Sequence, residues 1–392
     1  MAGSSHYHYH KNDEDDAEFE SLFEELLEIP EMLSEPKNRK KRIFIERHRE
    51  EGDIQLWNDY FSETPTYPSN IFRRRFRMSK SLFMRIVHRL STEVEYFAAT
   101  EDAVGRRSLS PLQKCTAAIR QLAYGGGADT VDEYVRLGES TARNCLHNFT
   151  AAIIDLFSDE YLRRPTPDDL ERLLHKGEER GFPGMIGSID CMHWEWKNCP
   201  TSWKGMYSRG TDKPTIVLEA VASYDLWIWH AFFGAPVNYN VNGREYDLAY
   251  YLTDGIYPEW ATFIKSISLP QGEKDSLFAK RQESARKDVE RAFGVLQARF
   301  AVIKNPSKLW SKSKIAKIMR ACIILHNMIV EDEERTDTRD DTFHDQDISF
   351  CVKMPTELFD ALDRRARVRD RPVHRQLKHD LIEHLWDKFG DE

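Results

Sequence analysis

The sequence predicts an α+β chain: a helical N-terminal region followed by a mixed α/β core. Three observations carry this. Between residues 43 and 175 apolar side chains recur at helical spacing, with Gly and Pro as punctuation. Past Phe182-Pro183-Gly184-Met185 the texture changes to alternating, β-rich runs. Two long amphipathic stretches, 276–304 and 311–330, then close the core. The expected organisation is a leader over 1–42, a helical region over 43–175, a core over 176–330, and an acidic linker with a helical tail over 331–392.

The helical region reads in order. FRRRFRMSKSLFMRIVHRL joins a basic cluster (Arg73, Arg74, Arg75, Arg77) to an apolar face of Leu82, Ile86 and Leu90. PLQKCTAAIRQLAYG starts with Pro111, a good first-turn residue, and stops at Gly125. DTVDEYVRL ends at Gly138, and ESTARNCLHNFTAAIIDLF follows with Ser140 as the expected N-cap. Helix, short helix, Gly, helix is the plan of a helix-turn-helix, whose recognition helix would present Arg143 and His147 to DNA. A plain helical bundle is equally compatible with these residues. The DNA-binding candidates are therefore the four arginines together with Arg143 and His147.

In the core, GMIGSIDCMHWEW predicts a strand, with Ile186, Ser188, Asp190 and Met192 alternating against Ile189 and Cys191. PTIVLEAVASYD and LWIWHAFFG are two β runs joined by a turn at SYDL. NYNVNGREYDL is a hairpin signal with Asn242-Gly243 at its tip. LAYYLTDG reads as a buried strand, and HRQLKHDLIEHLW as a terminal helix.

Net charge is −9, yet residues 13–35 hold 11 acids and no Lys or Arg, and residues 331–347 carry a net −7. Setting both aside leaves a body of +9, which keeps nucleic acid among the partners. FESLFEELLEIPEML has helical spacing, and KNRKKR (Lys37–Arg42) reads either as a nuclear localisation patch or as a solvated basic helix start. No apolar run reaches the ~18 residues of a membrane span, and no signal-peptide pattern opens the chain. The six scattered cysteines suit reduced thiols inside a cell, and the spacing of Cys191, His193 and Cys199 lacks the paired C-x-x-C of a structural zinc site.

Three acids stand where a metal site would want them. Asp190 lies inside an apolar strand, where an unpaired charge is expensive. Asp254 ends a strand, and Glu290 borders the buried face of a helix next to Val289. Such a set suits Mg²⁺ or Mn²⁺, which activate water and stabilise a leaving 3′-oxygen in phosphodiester cleavage. Spacing alone leaves other readings open: a hydrogen-bonded buried acid for Asp190, a turn residue for Asp254, and an i,i+4 partner of Arg286 for Glu290.

Longer motifs narrow this. GFPGMIGSIDCMHWEWKNCPTSWKGMY, LEAVASYDLWIWHAFFGAP, YYLTDGIYPEWATFIKSI, ARKDVERAFGVLQARFAVI and ACIILHNMIVEDE occur in order. Over residues 45–330 the chain resembles the PIF/Harbinger superfamily of DDE transposases. The resemblance implies an RNase H-like core with strand order 3-2-1-4-5, a preceding helix-turn-helix, and a divalent-metal nuclease. It places the acid triad on Asp190, Asp254 and Glu290. It further implies a nuclear protein acting on DNA with a Myb/SANT-like DNA-binding partner. The chain departs from the family after FFGAP, where Pro236 passes directly to VNYNVNG and a crossover helix is missing. The expectation is a core with apolar sheet surface left bare, at a cost of several kcal/mol by the rule of roughly 25 cal/mol per Å², and with low or absent activity.

Overall fold

A computed structural model of the chain describes residues 45–101, 105, 107–208, 213–229, 235–337 and 367–391. The expected leader features at 19–27 and 37–42, and most of the acidic run 331–347, lie outside the described residues.

The helical region begins with α1 (Arg49–Tyr60), α2 (Ser69–Phe76) and α3 (Lys80–Glu93). Left-handed Arg77, φ 66°, ends α2, and the Ser79 hydroxyl caps α3 by accepting the Leu82 N–H at 3.1 Å. These breaks turn the apolar sides inward, so Tyr60, Phe61, Phe72, Phe76 and Phe83 are all buried. A reciprocal capping box of Ser110 and Gln113 starts α4 (Pro111–Tyr124), and Gly125 ends it at φ 60°. Next come α5 (Asp129–Val135) and α6 (Glu139–Tyr161). The start of α6 departs from expectation: Gly138, not Ser140, holds the N-cap position, with no side-chain cap. Side chains of α4 tie the three together, Gln113 Nε2 donating to Val135 O at 3.2 Å and Gln121 Nε2 to Ala142 O at 2.9 Å. Thr166 and Asp169 then cap α7 (Pro167–Glu179).

The core strands are β1 (Met185–Glu195), β2 (Thr215–Ala222), β3 (Ile228–Trp229), β4 (Pro236–Val241), β5 (Arg244–Leu248), β6 (Tyr250–Thr253) and β7 (Phe263–Lys265), with a short α8 (Lys204–Tyr207) after β1. Five of them form one mixed sheet in the order β3-β2-β1-β6-β7. Strand β2 runs antiparallel to β1 and β3, whereas β6 is parallel to both β1 and β7. One register row crosses the whole sheet through Ile228, Ala222, Ser188, Leu252 and Ile264. This mixed order is compatible with the core that the motifs implied. Flanking it are α9 (Glu273–Arg299), α10 (Ala301–Lys304), α11 (Lys312–Asp337) and α12 (Arg371–Phe389). The single helix expected over 276–304 breaks at Phe300, φ −123°, ψ 85°.

Strands β4 and β5 form the separate Asn-Gly hairpin that the sequence predicts, with Asn242 and Gly243 both at positive φ. Among the described residues no helix stands between β3 and β6. The expected bare sheet surface is not found. Val237, Tyr239, Val241 and Tyr246 of the hairpin and Leu377, Leu381 and Leu385 of α12 form one buried cluster with Ile186, Ile189, Trp229 and Tyr250 of the sheet. Hairpin and terminal helix thus do the covering that a crossover helix would do. A second cluster joins Met192, Trp194, Ala220 and Ala222 of the sheet to α9, α11 and the aromatic helices of the N-terminal region. Among the described residues no helix is long and apolar enough to cross a membrane.

Candidate active site

Strand β1 presents its even-numbered side chains to α9. The Ser188 hydroxyl donates to Ala285 O at 3.3 Å, and Met192 Sδ lies 3.0 Å from Gln297 Nε2. Asp190, between them, meets Arg286: Oδ2 lies 3.1 Å from Nη1, while Oδ1 accepts the Cys191 N–H at 2.8 Å. Arg286 and Glu290 are one helical turn apart, and Nη2 of the arginine lies 2.6 Å from Glu290 Oε1. Asp190 and Arg286 are each about one-fifth exposed, Glu290 nearly half. So the two acids are brought together, with a guanidinium between them.

Asp254 enters from the neighbouring strand. The register pairs Ser188 with Leu252, and β6 ends at Thr253, so Asp254 is the first residue past that strand, toward the end of the sheet where Asp190 stands. Asp254 also performs the turn role: Oδ1 accepts the Ile256 N–H at 3.0 Å. On the other face of β1, Cys191 Sγ lies 3.3 Å from Tyr257 Oη. Burial pushes the Cys191 thiol up, and the charges of Glu219, Asp190 and Asp254 push the same way against the Tyr257 bond. That thiol is a poor nucleophile, so the carboxylates remain the chemically useful groups here.

Carboxylates without nitrogen or sulfur ligands are a donor set for a hard divalent cation. As arranged they do not fit one. Among the described residues no three His, Cys, Asp or Glu side chains gather closely enough to hold a metal ion, and Arg286 stands where Asp190 and Glu290 converge.

Comparison with known proteins agrees with the motifs. The family model for plant transposon protein matches residues 159–240 and 234–337. The two matched pieces run from 159 to 337, a little under half of the chain, and make this part of it similar to the plant transposon proteins. Its similarity to protein ALP1-like of Arabidopsis thaliana is 22% identity over 300 residues, covering 68% of this chain and 72% of that protein. A domain of unknown function matches residues 52–91, and no solved structure matches. The plant transposon protein match comes in two pieces that overlap at 234–240, the stretch that opens the β4–β5 hairpin.

The candidate DNA-binding residues separate. Arg73 and Arg74 are exposed on α2. Arg75 is half-buried, donates to Tyr60 Oη, and stacks 4.7 Å from the Tyr67 ring centre. Arg77 packs 5.6 Å from the Tyr124 ring, with Nε buried. Arg143 pairs with Glu139 on the exposed side of α6. Burial, then the charges of Lys314, Arg143 and Lys317, push the His147 pKa down. Sequence reasoning missed those two lysines. They come from α11, some 170 residues later, and only the packing of α11 on α6 assembles the patch. Exposed Lys314 and Lys317 at i,i+3 on α11 were the available signal.

Proposed function

We propose that this chain is a transposase-derived nuclease of the DDE type, acting on DNA phosphodiester bonds, with its chemistry degraded. One observation carries the reading: Asp190 of β1 and Glu290 of α9, 100 residues apart in sequence, are drawn together by Arg286, and Asp254 follows directly after the adjacent parallel strand β6. Asp190, Asp254 and Glu290 are the residues that would hold Mg²⁺ or Mn²⁺, after Arg286 had left them. Bound there, the metal would supply an activated water and charge neutralisation. Loss of a crossover segment between Pro236 and Val237 and the Arg286 bridge both argue for weak catalysis, because a misplacement of about 1 Å can cost ~10²-fold in rate. The family relationship supports a nuclear protein working on DNA beside a Myb/SANT-like partner. The deciding assay is Mg²⁺- or Mn²⁺-dependent cleavage of supercoiled DNA, with Asp190→Asn as control. Slow nicking by the parent, lost in the mutant, is the expected result. Fast cleavage would remove the degraded half of the proposal, and nicking equal in both proteins would remove the site. Sequencing the transcript across Pro236–Val237 separately tests whether the junction is genuine.

A second reading, a catalytically inactive DNA-binding module, is favoured by the basic patch of Arg143, His147, Lys314 and Lys317. Anisotropy titration of the full chain against duplex DNA tests it. Lys314→Glu with Lys317→Glu should weaken binding and lower the salt slope by about two, at ~0.9 per phosphate contact. An unchanged slope removes this surface from DNA binding.

A further inference from the structure

We infer that Arg286 is a built-in cation that competes with divalent metal for the carboxylate site, so that the chain rests in a metal-excluding state. The inference rests on the proposed acid site, but not on that site being active.

The geometry is particular. Arg286 uses separate nitrogens for the two acids, Nη1 toward Asp190 at 3.1 Å and Nη2 toward Glu290 at 2.6 Å. A planar guanidinium can span two carboxylates in this way; an ammonium is a single point charge and holds them less well. One partner is fixed by helical spacing, because residues 286 and 290 share a face of α9. The other is fixed by the sheet, because β1 turns Asp190 toward that face. One positive charge is thereby shared between two carboxylates by the protein itself, in a place only about one-fifth exposed at both Asp190 and Arg286. Charge pairs screened this little by water are stronger than surface pairs. A dication entering here must first break both ion pairs. Remove the guanidinium, and Asp190 and Glu290 are left as like charges with no cation between them, while Asp254 follows directly after the adjacent strand β6. That is the situation in which carboxylates recruit a cation.

The test is Mn²⁺ titration of the full chain, read from the electron paramagnetic resonance signal of free Mn²⁺. Arg286→Gln should bind Mn²⁺ at least tenfold more tightly than the parent, and Arg286→Lys to an intermediate degree. Adding Asp190→Asn to Arg286→Gln should return the affinity to the parent level. If Arg286→Gln binds no more tightly than the parent, or if its gain survives Asp190→Asn, the inference is overturned. Circular dichroism checks folding; should Arg286→Gln be unfolded, Arg286→Lys decides alone, a tighter site supporting the inference and an unchanged one ending it. Failure of the nuclease reading is distinguishable: an Arg286→Gln protein that binds Mn²⁺ tightly yet cuts no DNA upholds the competition and defeats the activity.

Discussion

Asn327 pairs with Ile228 as a neighbouring strand would. Its Oδ1 accepts the Ile228 N–H at 3.0 Å and its Nδ2 donates to the Ile228 carbonyl at 2.7 Å, with Tyr161 O as a second acceptor at 2.7 Å. The side chain is fully buried. One carboxamide on α11 thus closes the open edge of β3 and ties it to the end of α6. Asn327→Ala leaves backbone groups of Ile228 and Tyr161 buried without partners, at ~1–3 kcal/mol for an unsatisfied group. The expected loss is about 3 kcal/mol in urea unfolding, with Asn327→Asp little better because it cannot donate.

His326, the next residue, carries a pH dependence. Its Nε2 lies 2.8 Å from Leu226 O and must donate, which leaves Nδ1 to accept from Arg299 Nη1 at 3.2 Å. Burial, then the charge of Arg299, push its pKa down to about 3. The unfolded chain takes up a proton near the ordinary value of about 6.5, while the folded chain refuses it until about 3. Stability contributed by the neutral ring is therefore full above pH 6.5 and is lost as pH falls toward 3, at ~1.4 kcal/mol per pH unit. Between pH 7 and 5 the parent should lose about 2 kcal/mol more than His326→Gln. Parallel losses in both proteins would assign the effect elsewhere.

Gly184 lies under the Tyr239 ring. Its φ is +86°, and a Cβ there would fall 2.3 Å from Tyr239 Cζ. Gly184→Ala combines left-handed strain with a clash against a buried ring, together about 3 kcal/mol. In a Tyr239→Leu background the clash is gone and only the backbone term of about 1 kcal/mol persists. A double-mutant cycle by thermal unfolding should show that difference as coupling.

Asp380 of α12 gathers the hairpin. Its Oδ2 accepts from Tyr246 Oη at 2.6 Å and lies 3.6 Å from Arg244 Nε, and its carbonyl accepts from Asn242 Nδ2 at 2.9 Å. Asp380→Ala abandons the buried tyrosine hydroxyl and should cost about 2 kcal/mol. Hydrogen exchange should then rise in 236–248 and in α12 but not in β1.

Much of this was legible beforehand, where short-range rules decide. The Pro111 start and Gly125 stop of α4, the Asn242-Gly243 turn, and the alternation through Asp190 are local properties of a few residues, although the Ser140 cap was misplaced by two residues. The covering of the sheet was not legible. It depends on Leu377, Leu381 and Leu385, whose spacing shows a helix face but not its destination, more than a hundred residues from the hairpin it meets. The acid site was half-legible. Position and motif pointed to Asp190, Asp254 and Glu290, and the Arg286–Glu290 pair stood as an alternative reading of the helix, which the structure contains. That the same guanidinium also reaches Asp190 required the packing of α9 on β1.

The hairpin leaves the sheet and rejoins it at a single neck, where the Ala249 N–H donates to Ala235 O at 2.9 Å and Tyr250 at once enters β6. What lies beyond that neck packs on the sheet but adds no strand to it. The row that runs from Ile228 to Ile264 takes none of its pairing from residues 236–248, which supply cover rather than strands. A lineage could therefore lose a helix ahead of the hairpin and keep every strand of the sheet paired while its chemistry drifted.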